Sequence, residues 1–313
     1  MTCIEKQELL IRQALLLAVI SALAAIVFFF FGPNSAYAAE VASGDYSNGT
    51  VHWSIDDSGV LTISGTGAVG DECFGNATKI AATLSGTSLT QQNIKSLVIE
   101  EGLTAIEPCA FEGLLSLTGE LVIPASVESV GDTFLEFTDV GITKLVFAPG
   151  SKVTSFPQLT AQIGFFQGFP SLKEITLPDS MTAIDNSAFK GCSSLETING
   201  WPAGLTTIGT SAFRSCTSLA SIPEWPDTLT SIGAHAFRDC SSLASIPVFP
   251  NNVLNIGGNA FNGTALSGEI YVPEGSTFNA NSFPSGVTTT SVPPAVQYPT
   301  SGTLDCGATW SYD

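Results

Sequence analysis

The sequence predicts a mainly β solenoid of stacked coils, about six or seven in number, built from units of roughly 23–24 residues and preceded by a small β-rich module. Three observations lead there. First, four segments align without gaps: SAFKGCSSLETI from Ser187, SAFRSCTSLASI from Ser211, HAFRDCSSLASI from His235 and NAFNGTALSGEI from Asn259. Second, their Ala-Phe pairs end at Phe189, Phe213, Phe237 and Phe261, a constant step along the chain. Cys192, Cys216 and Cys240 keep the same step. Third, apolar residues alternate within a unit. In LKEITLP, from Leu172, Ile175 and Leu177 stand two apart and face one side, as a half-buried strand requires. One such unit cannot bury its own apolar face, whereas stacked units share a continuous core.

In chain order, residues 1–38 form a leader. Lys6 and Arg12 precede an unbroken apolar run, ALLLAVISALAAIVFFFF from Ala14; Gly32 and Pro33 break it, and Ala36-Tyr37-Ala38 follows. Charged start, apolar run, breaker and A-x-A site make a secretory signal peptide. An uncleaved anchor is the rival reading, because the run approaches the length that spans a bilayer. Residues 39–93 form the β-rich opening module, with strands VHWSI and VLTIS joined by a turn at Asp56-Asp57-Ser58-Gly59. Residues 94–283 form the solenoid. Upstream of Phe189 the pattern loosens: Phe111 follows LTAIEPC, and Phe134 follows VESVGDT. The step from Phe134 to Phe166 is longer than the others, so an insertion is expected near residues 141–156. The repeat core is then Phe111, Phe134, Phe189, Phe213, Phe237 and Phe261, with Cys192, Cys216 and Cys240. Residues 284–300, rich in Pro, Ser and Thr, read as a linker. In residues 301–313, WSYD echoes Trp53-Ser54-Ile55-Asp56, so the chain is expected to stop a dozen residues into a truncated second copy of its opening module.

The unit L-x-x-I-x-L-P, L-T-x-I-G, A-F-x-x-C resembles the BspA-like leucine-rich repeat family of bacterial surface proteins over roughly residues 94–272. GTVHWSIDDSGVLTISGTG, from Gly49, is similar to the β-rich segment that often precedes those repeats. The resemblance implies a secreted or wall-associated protein that works by binding, often by adhesion to host or microbial surfaces. Three units depart from the pattern by a one-residue insertion.

Composition excludes other classes. The chain of 313 residues holds 10 Lys+Arg against 28 Asp+Glu, a net charge of −18, which argues against a nucleic-acid partner. Removing the leader deletes two acids, Glu5 and Glu8, and two bases, Lys6 and Arg12, and so leaves the net charge unchanged. An apolar fraction of 44% argues against disorder. No membrane association is expected once the signal is cleaved.

Candidate chemistry is sparse. Cys192, Cys216 and Cys240 should stack at a spacing that permits disulfides, but the same position holds Leu114, Phe137 and Thr264, so a buried thiol ladder is favoured. No His or carboxylate keeps step with them, so no metal is expected. His235 reads as a solvated turn residue, and His52 has no evident group to orient its imidazole. Asp56 and Asp57 suggest calcium less than a hairpin turn. No catalytic residue and no cofactor are predicted.

Trp201, Trp225 and Phe249, each followed by Pro, recur at the constant step of the repeat and are candidates either for partner contact or for capping the core. Thr176 and Asn199 are further candidates on the strand faces. The function expected is a secreted or cell-surface, non-catalytic scaffold for protein–protein contact, with an extracellular protein of host matrix or another microbial surface as partner. The alternative is a carbohydrate- or wall-binding module, or the non-catalytic part of a truncated secreted hydrolase.

Overall fold

Alternating apolar and polar residues start the chain as an antiparallel meander. The computed structural model describes residues 38–46, 49–70, 91–108, 110–111, 114, 116–131, 141–156, 166, 169–292, 301–303 and 309–311. The chain divides into Met1–Ala39 and Glu40–Asp313. Residues 1–37 of the leader, Phe134, Phe137, Cys73, Cys109 and Cys306 lie outside the described residues. Strand β1 (Glu40–Asp45) pairs antiparallel with β2 (Val51–Asp56), and β2 with β3 (Val60–Gly65). On β2, Val51, Trp53 and Ile55 are buried and His52 is exposed. Gly44 stands opposite Trp53, and a Cβ there would lie 2.9 Å from the indole, so glycine makes room for the ring.

The meander is not a separate body. After β4 (Gly67–Val69), β5 (Ser96–Ile99) pairs in parallel with β3, setting Leu61 beside Leu97 and Ile63 beside Ile99. One hydrophobic core runs from Tyr46 to Phe283. The expected boundary at residues 93/94 therefore falls inside the stack, with β3 serving as its first rung.

Two lines of parallel strands follow. β6 (Leu103–Ile106) and β8 (Ser129–Val130) extend a second line begun by β4, while β7 (Thr118–Ile123) and β9 (Gly141–Phe147) build the first. β10 (Glu174–Thr176) and β12 (Thr197–Ile198) continue the first line. The second line resumes as β11 (Ala183–Ile184), β13 (Thr207–Ile208), β14 (Ser231–Ile232) and β15 (Asn255–Ile256), paired in that order with Ile184, Ile208 and Ile232 in register with the next isoleucine. β16 (Gly268–Pro273) and β17 (Val287–Val292) pair in parallel, and β18 (Ser301–Thr303) pairs antiparallel with β19 (Thr309–Ser311). Gly302 stands opposite Trp310 there, the same pairing that Gly44 makes with Trp53.

The third side of each coil, the A-F-x-x-C turn, is also hydrogen-bonded coil to coil. Amides of Ser187, Phe189 and Gly191 donate to the carbonyls of Thr210, Ala212 and Arg214, and those of Phe213 and Ser215 donate to Ala236 and Arg238. This geometry places Ser187, Ser211, His235 and Asn259 at φ of 57–60°, a left-handed conformation that side chains disfavour. The interlocking amides hold it. Coils approach closely enough on the second line that a Cβ on Gly257 would lie 2.3 Å from the Ala234 nitrogen. Asp185 occupies that repeat position one coil after Phe156, and its carboxylate accepts the Phe156 amide at 2.8 Å.

The core is a column of rings. Phe166, Phe189, Phe213, Phe237, Phe261 and Phe283 stack nearly parallel at centroid distances of 5.0–5.4 Å. Phe111 is buried as expected, and Phe283 is an additional rung. Beside this column, Cys192, Cys216 and Cys240 are buried free thiols that donate to the carbonyls of Phe166, Phe189 and Phe213 at 3.1–3.2 Å.

Two sequence expectations change. Residues 141–156 are not the insertion: 141–147 form β9, and Val153 and Phe156 are buried in the core. The surplus falls later, because the separation of Phe156 from Phe166 is twice that of Ile184 from Phe189. The segment read as a linker contains β17, since VTTTSV is rich in β-branched residues that fit a pleated sheet. Beyond β12 the first line has no strand at residues 221–223 or 245–247, where Pro223 and Pro247 have no N–H to give a ladder.

Truncating a ring of the central column, Phe237→Ala, is expected to cost about 3–5 kcal/mol in chemical denaturation, because neighbouring coils cannot close over the hole. A cost below about 1 kcal/mol would mean that the column is not tightly packed.

Candidate functional site

Strand alternation sends every second side chain of the first line outward. Register aligns Glu120, Lys144, Glu174 and Thr197 in one row, and Val122, Val146 and Thr176 in the next. Lys144 Nζ lies 3.5 Å from Glu120 and 3.3 Å from Glu174. Asn199 Nδ2 donates to Glu174 Oε1 at 2.7 Å and to Thr176 Oγ1 at 2.9 Å. One amide thus links Thr176 and Asn199 to the same carboxylate. Asn199 is the first cause of the low pKa of Glu174, and Lys144 adds to it; the two carboxylates in turn raise the pKa of Lys144, Glu174 chiefly. Val98 and Val122 are 42% and 41% exposed beside this row. Further along, Glu196, Thr197, Ser221, Ile222 and Pro223 line a shallow groove of about 210 Å³.

The aromatic-proline ladder sits inside this line, not upon it. Trp225 and Phe249 are only 7% and 4% exposed, and Trp201 is half-buried. Their rings stack at 5.7 and 5.8 Å, and each meets a Phe of the central column, Phe213, Phe237 or Phe261. The indole N–H groups of Trp201 and Trp225 donate to the carbonyls of Pro223 and Pro247 at 3.2 Å. The contact role weighed for Trp225 and Phe249 therefore yields to packing, because each ring is enclosed between its stacked neighbours and the Phe column.

Cysteine chemistry is suppressed where the ladder lies. Burial pushes the Cys192 thiol up to about 12, and burial also raises Cys216. Neither is a thiolate near neutral pH, so neither is activated as a nucleophile.

Both histidines differ from expectation. His52 does have an orienting group: its Nδ1 meets the Asp45 carboxylate across β1 and β2. The pair belongs to a polar pocket of about 440 Å³ lined also by Glu40, Ser43, Ser54 and Ser64. Cross-strand register, which the sequence does not display, makes this pairing. His235 is half-buried, 3.3 Å from Asn259 Nδ2, and burial lowers its pKa, followed by Arg238 and Arg214. Asp56 closes its turn as anticipated, accepting from the Ser58 amide and hydroxyl and from the Val60 amide at 2.7–3.0 Å.

The repeated coil can be compared with known proteins. The model of the BspA-type leucine-rich repeat region matches residues 82–162 and 160–288, in six copies. The chain belongs to this family. Solved leucine-rich repeat structures resemble this BspA-type chain at low identity. A leucine-rich repeat protein from Bacteroides ovatus is 21% identical, with a TM-score of 0.44, over 64% of this chain and 61% of that one. The leucine-rich repeat protein TpLRR of T. pallidum is 21% identical, with a TM-score of 0.37, over 77% and 92%. The pneumococcal vaccine antigen PcpA is 18% identical, with a TM-score of 0.36, over 66% and 63%. The chain thus spans about three fifths of the length of the Bacteroides protein. No curated protein sequence matches it. Among the described residues of this BspA-type chain, no helix is long and apolar enough to cross a membrane.

The Glu174 carboxyl is the titration marker for this face. A lowered carboxyl pKa contributes stability that is present above the ordinary glutamate value and lost as pH falls through the lowered one. In a carbon-detected NMR titration, Glu174 should titrate below the ordinary glutamate range, and Asn199→Ala should move its midpoint upward. An unmoved midpoint would contradict the hydrogen bond as the main cause.

Proposed function

We propose that the chain is a secreted or cell-surface scaffold that binds a protein partner without catalysis, in the service of adhesion. Membership of the BspA-type family supports the general role, and the leader sequence supports export. The observation that carries the reading is the uncovered outer face of the first line: the exposed Val98 and Val122 beside the Glu120–Lys144–Glu174–Asn199 network. Apolar anchors rimmed by polar groups are the usual composition of a contact surface. Parallel pairing holds the face rigid, so little ordering entropy opposes binding. The partner is an extracellular protein, from host matrix or another microbial surface.

The test is biolayer interferometry of the exported chain against a panel of immobilised matrix proteins. Saturable binding is expected, reduced about tenfold or more by Val98→Asp with Val122→Asp, at an unchanged melting temperature. Saturable binding that the double variant leaves intact would overturn this choice of face, and absence of binding to every protein would overturn the reading.

A further inference from the structure

We infer that the third side of the coils carries a binding strip for an anionic polysaccharide with an acid group on each sugar. This goes beyond the protein-contact reading and uses a different side of the coil.

The repeat position after each buried Phe holds Lys190, Arg214 and Arg238 in three successive coils. Between residues 186 and 262 these are all the Lys and Arg present, so every cation of this stretch stands in one column. The stretch also holds Glu196, Glu224, Asp227 and Asp239, and of these only Asp239 lies in the A-F-x-x-C turn. Asp239 is shared: its Oδ2 lies 3.7 Å from Arg214 Nε and 3.5 Å from Arg238 Nε. Elsewhere Lys144 is matched by Glu120 and Glu174, Lys152 by Glu128, and Lys173 by Glu196. Among the described residues Lys190 has no ion pair. The column thus keeps excess positive charge on a protein of net charge −18. The lowered pKa of His235, to which Arg238 and Arg214 contribute after burial, reports the same local field.

The surrounding acids do not cancel this strip at distance. At physiological ionic strength exposed charges farther than about 8 Å are largely screened, so an anion on the strip meets chiefly the column.

Spacing and surface chemistry select the occupant. Turn amides bond coil to coil, so the cations repeat at the interstrand spacing of about 4.8 Å. That step is close to the length of one sugar along an extended chain, whose successive sugars alternate faces, so acids on one face meet every second cation. An extended acidic peptide presents same-face carboxylates only every ~6.8 Å and falls out of step. The strip also lacks what a folded protein partner needs. The exposed large apolar side chains among the described residues are Val98, Val122, Val248, Leu254, Tyr271 and Phe278, none in an A-F-x-x-C turn. Flanking the cations are Ser193, Ser215 and Thr217, hydroxyl groups suited to a hydroxylated polymer.

The test is calorimetric titration of the chain with polygalacturonate, which carries carboxylates, and with heparin, which carries sulfates as well; polyglutamate is the peptide arm. Binding to at least one glycan is expected, weakening as salt rises. Lys190→Ala/Arg214→Ala/Arg238→Ala should lose about tenfold or more in affinity, because the contact is multivalent. Arg214→Lys/Arg238→Lys should keep most of it. The stronger glycan distinguishes carboxylate from sulfate as the preferred acid. No glycan binding, a salt-independent affinity, an undiminished triple variant, or polyglutamate binding as tightly as either glycan would each overturn the proposal. The salt dependence of the unaltered chain decides the matter even if the triple variant fails to fold. Val98→Asp with Val122→Asp should leave glycan affinity unchanged, which separates this strip from the protein-contact face.

Discussion

Coil-to-coil hydrogen bonding on three sides is the constraint from which the rest follows. The second line and the first line as far as β12 use short parallel strands, and the third side uses the A-F-x-x-C turn, whose amides reach the next coil as regularly as strand amides do. Buried backbone groups must be paired, and a coil of this kind finds its partners only in the coils above and below. Along the regular coils from Phe189 to Phe261 the repeat length is thereby constant, and each residue sits over its own counterpart. Phe stacks on Phe, thiol follows thiol, and glycine is required where one backbone presses on the next.

This constraint explains what could be read from residues alone. The constant step marks Phe189, Phe213, Phe237, Phe261 and the cysteines because regular coils stack like side chains at like positions. Phe283 is hidden from the period because it comes two positions early in the step from Phe261 and follows Ser282 where Phe189, Phe213, Phe237 and Phe261 follow Ala. Trp201, Trp225 and Phe249 kept the period, but period alone does not tell an inward from an outward ring. Their burial against the Phe column is set by packing, which the period does not display. The pairing of His52 with Asp45 and of Asn199 with Glu174 required cross-strand register. That register comes from a turn in one case and from coil stacking in the other.

Stacking also turns single substitutions into surface columns. Where the sequence varies a repeat position, the variation appears as a row along the solenoid. The first line gives an apolar and ion-paired row, and the turn side gives a cationic one. Binding in such a protein is a matter of which columns are left uncovered and what spacing they present. Catalysis would instead need unlike groups converging on a point.

Native-state hydrogen exchange tests the three-sided ladder most directly. The amides of Phe189, Phe213 and Phe237 bond to the next coil at 2.7–2.8 Å. They should be protected to within about tenfold of the second-line amides of Gly209 and Gly233, because both exchange only when coils separate. Turn amides that exchange orders of magnitude faster than the strand amides would contradict the account, leaving a two-sided stack with loose turns.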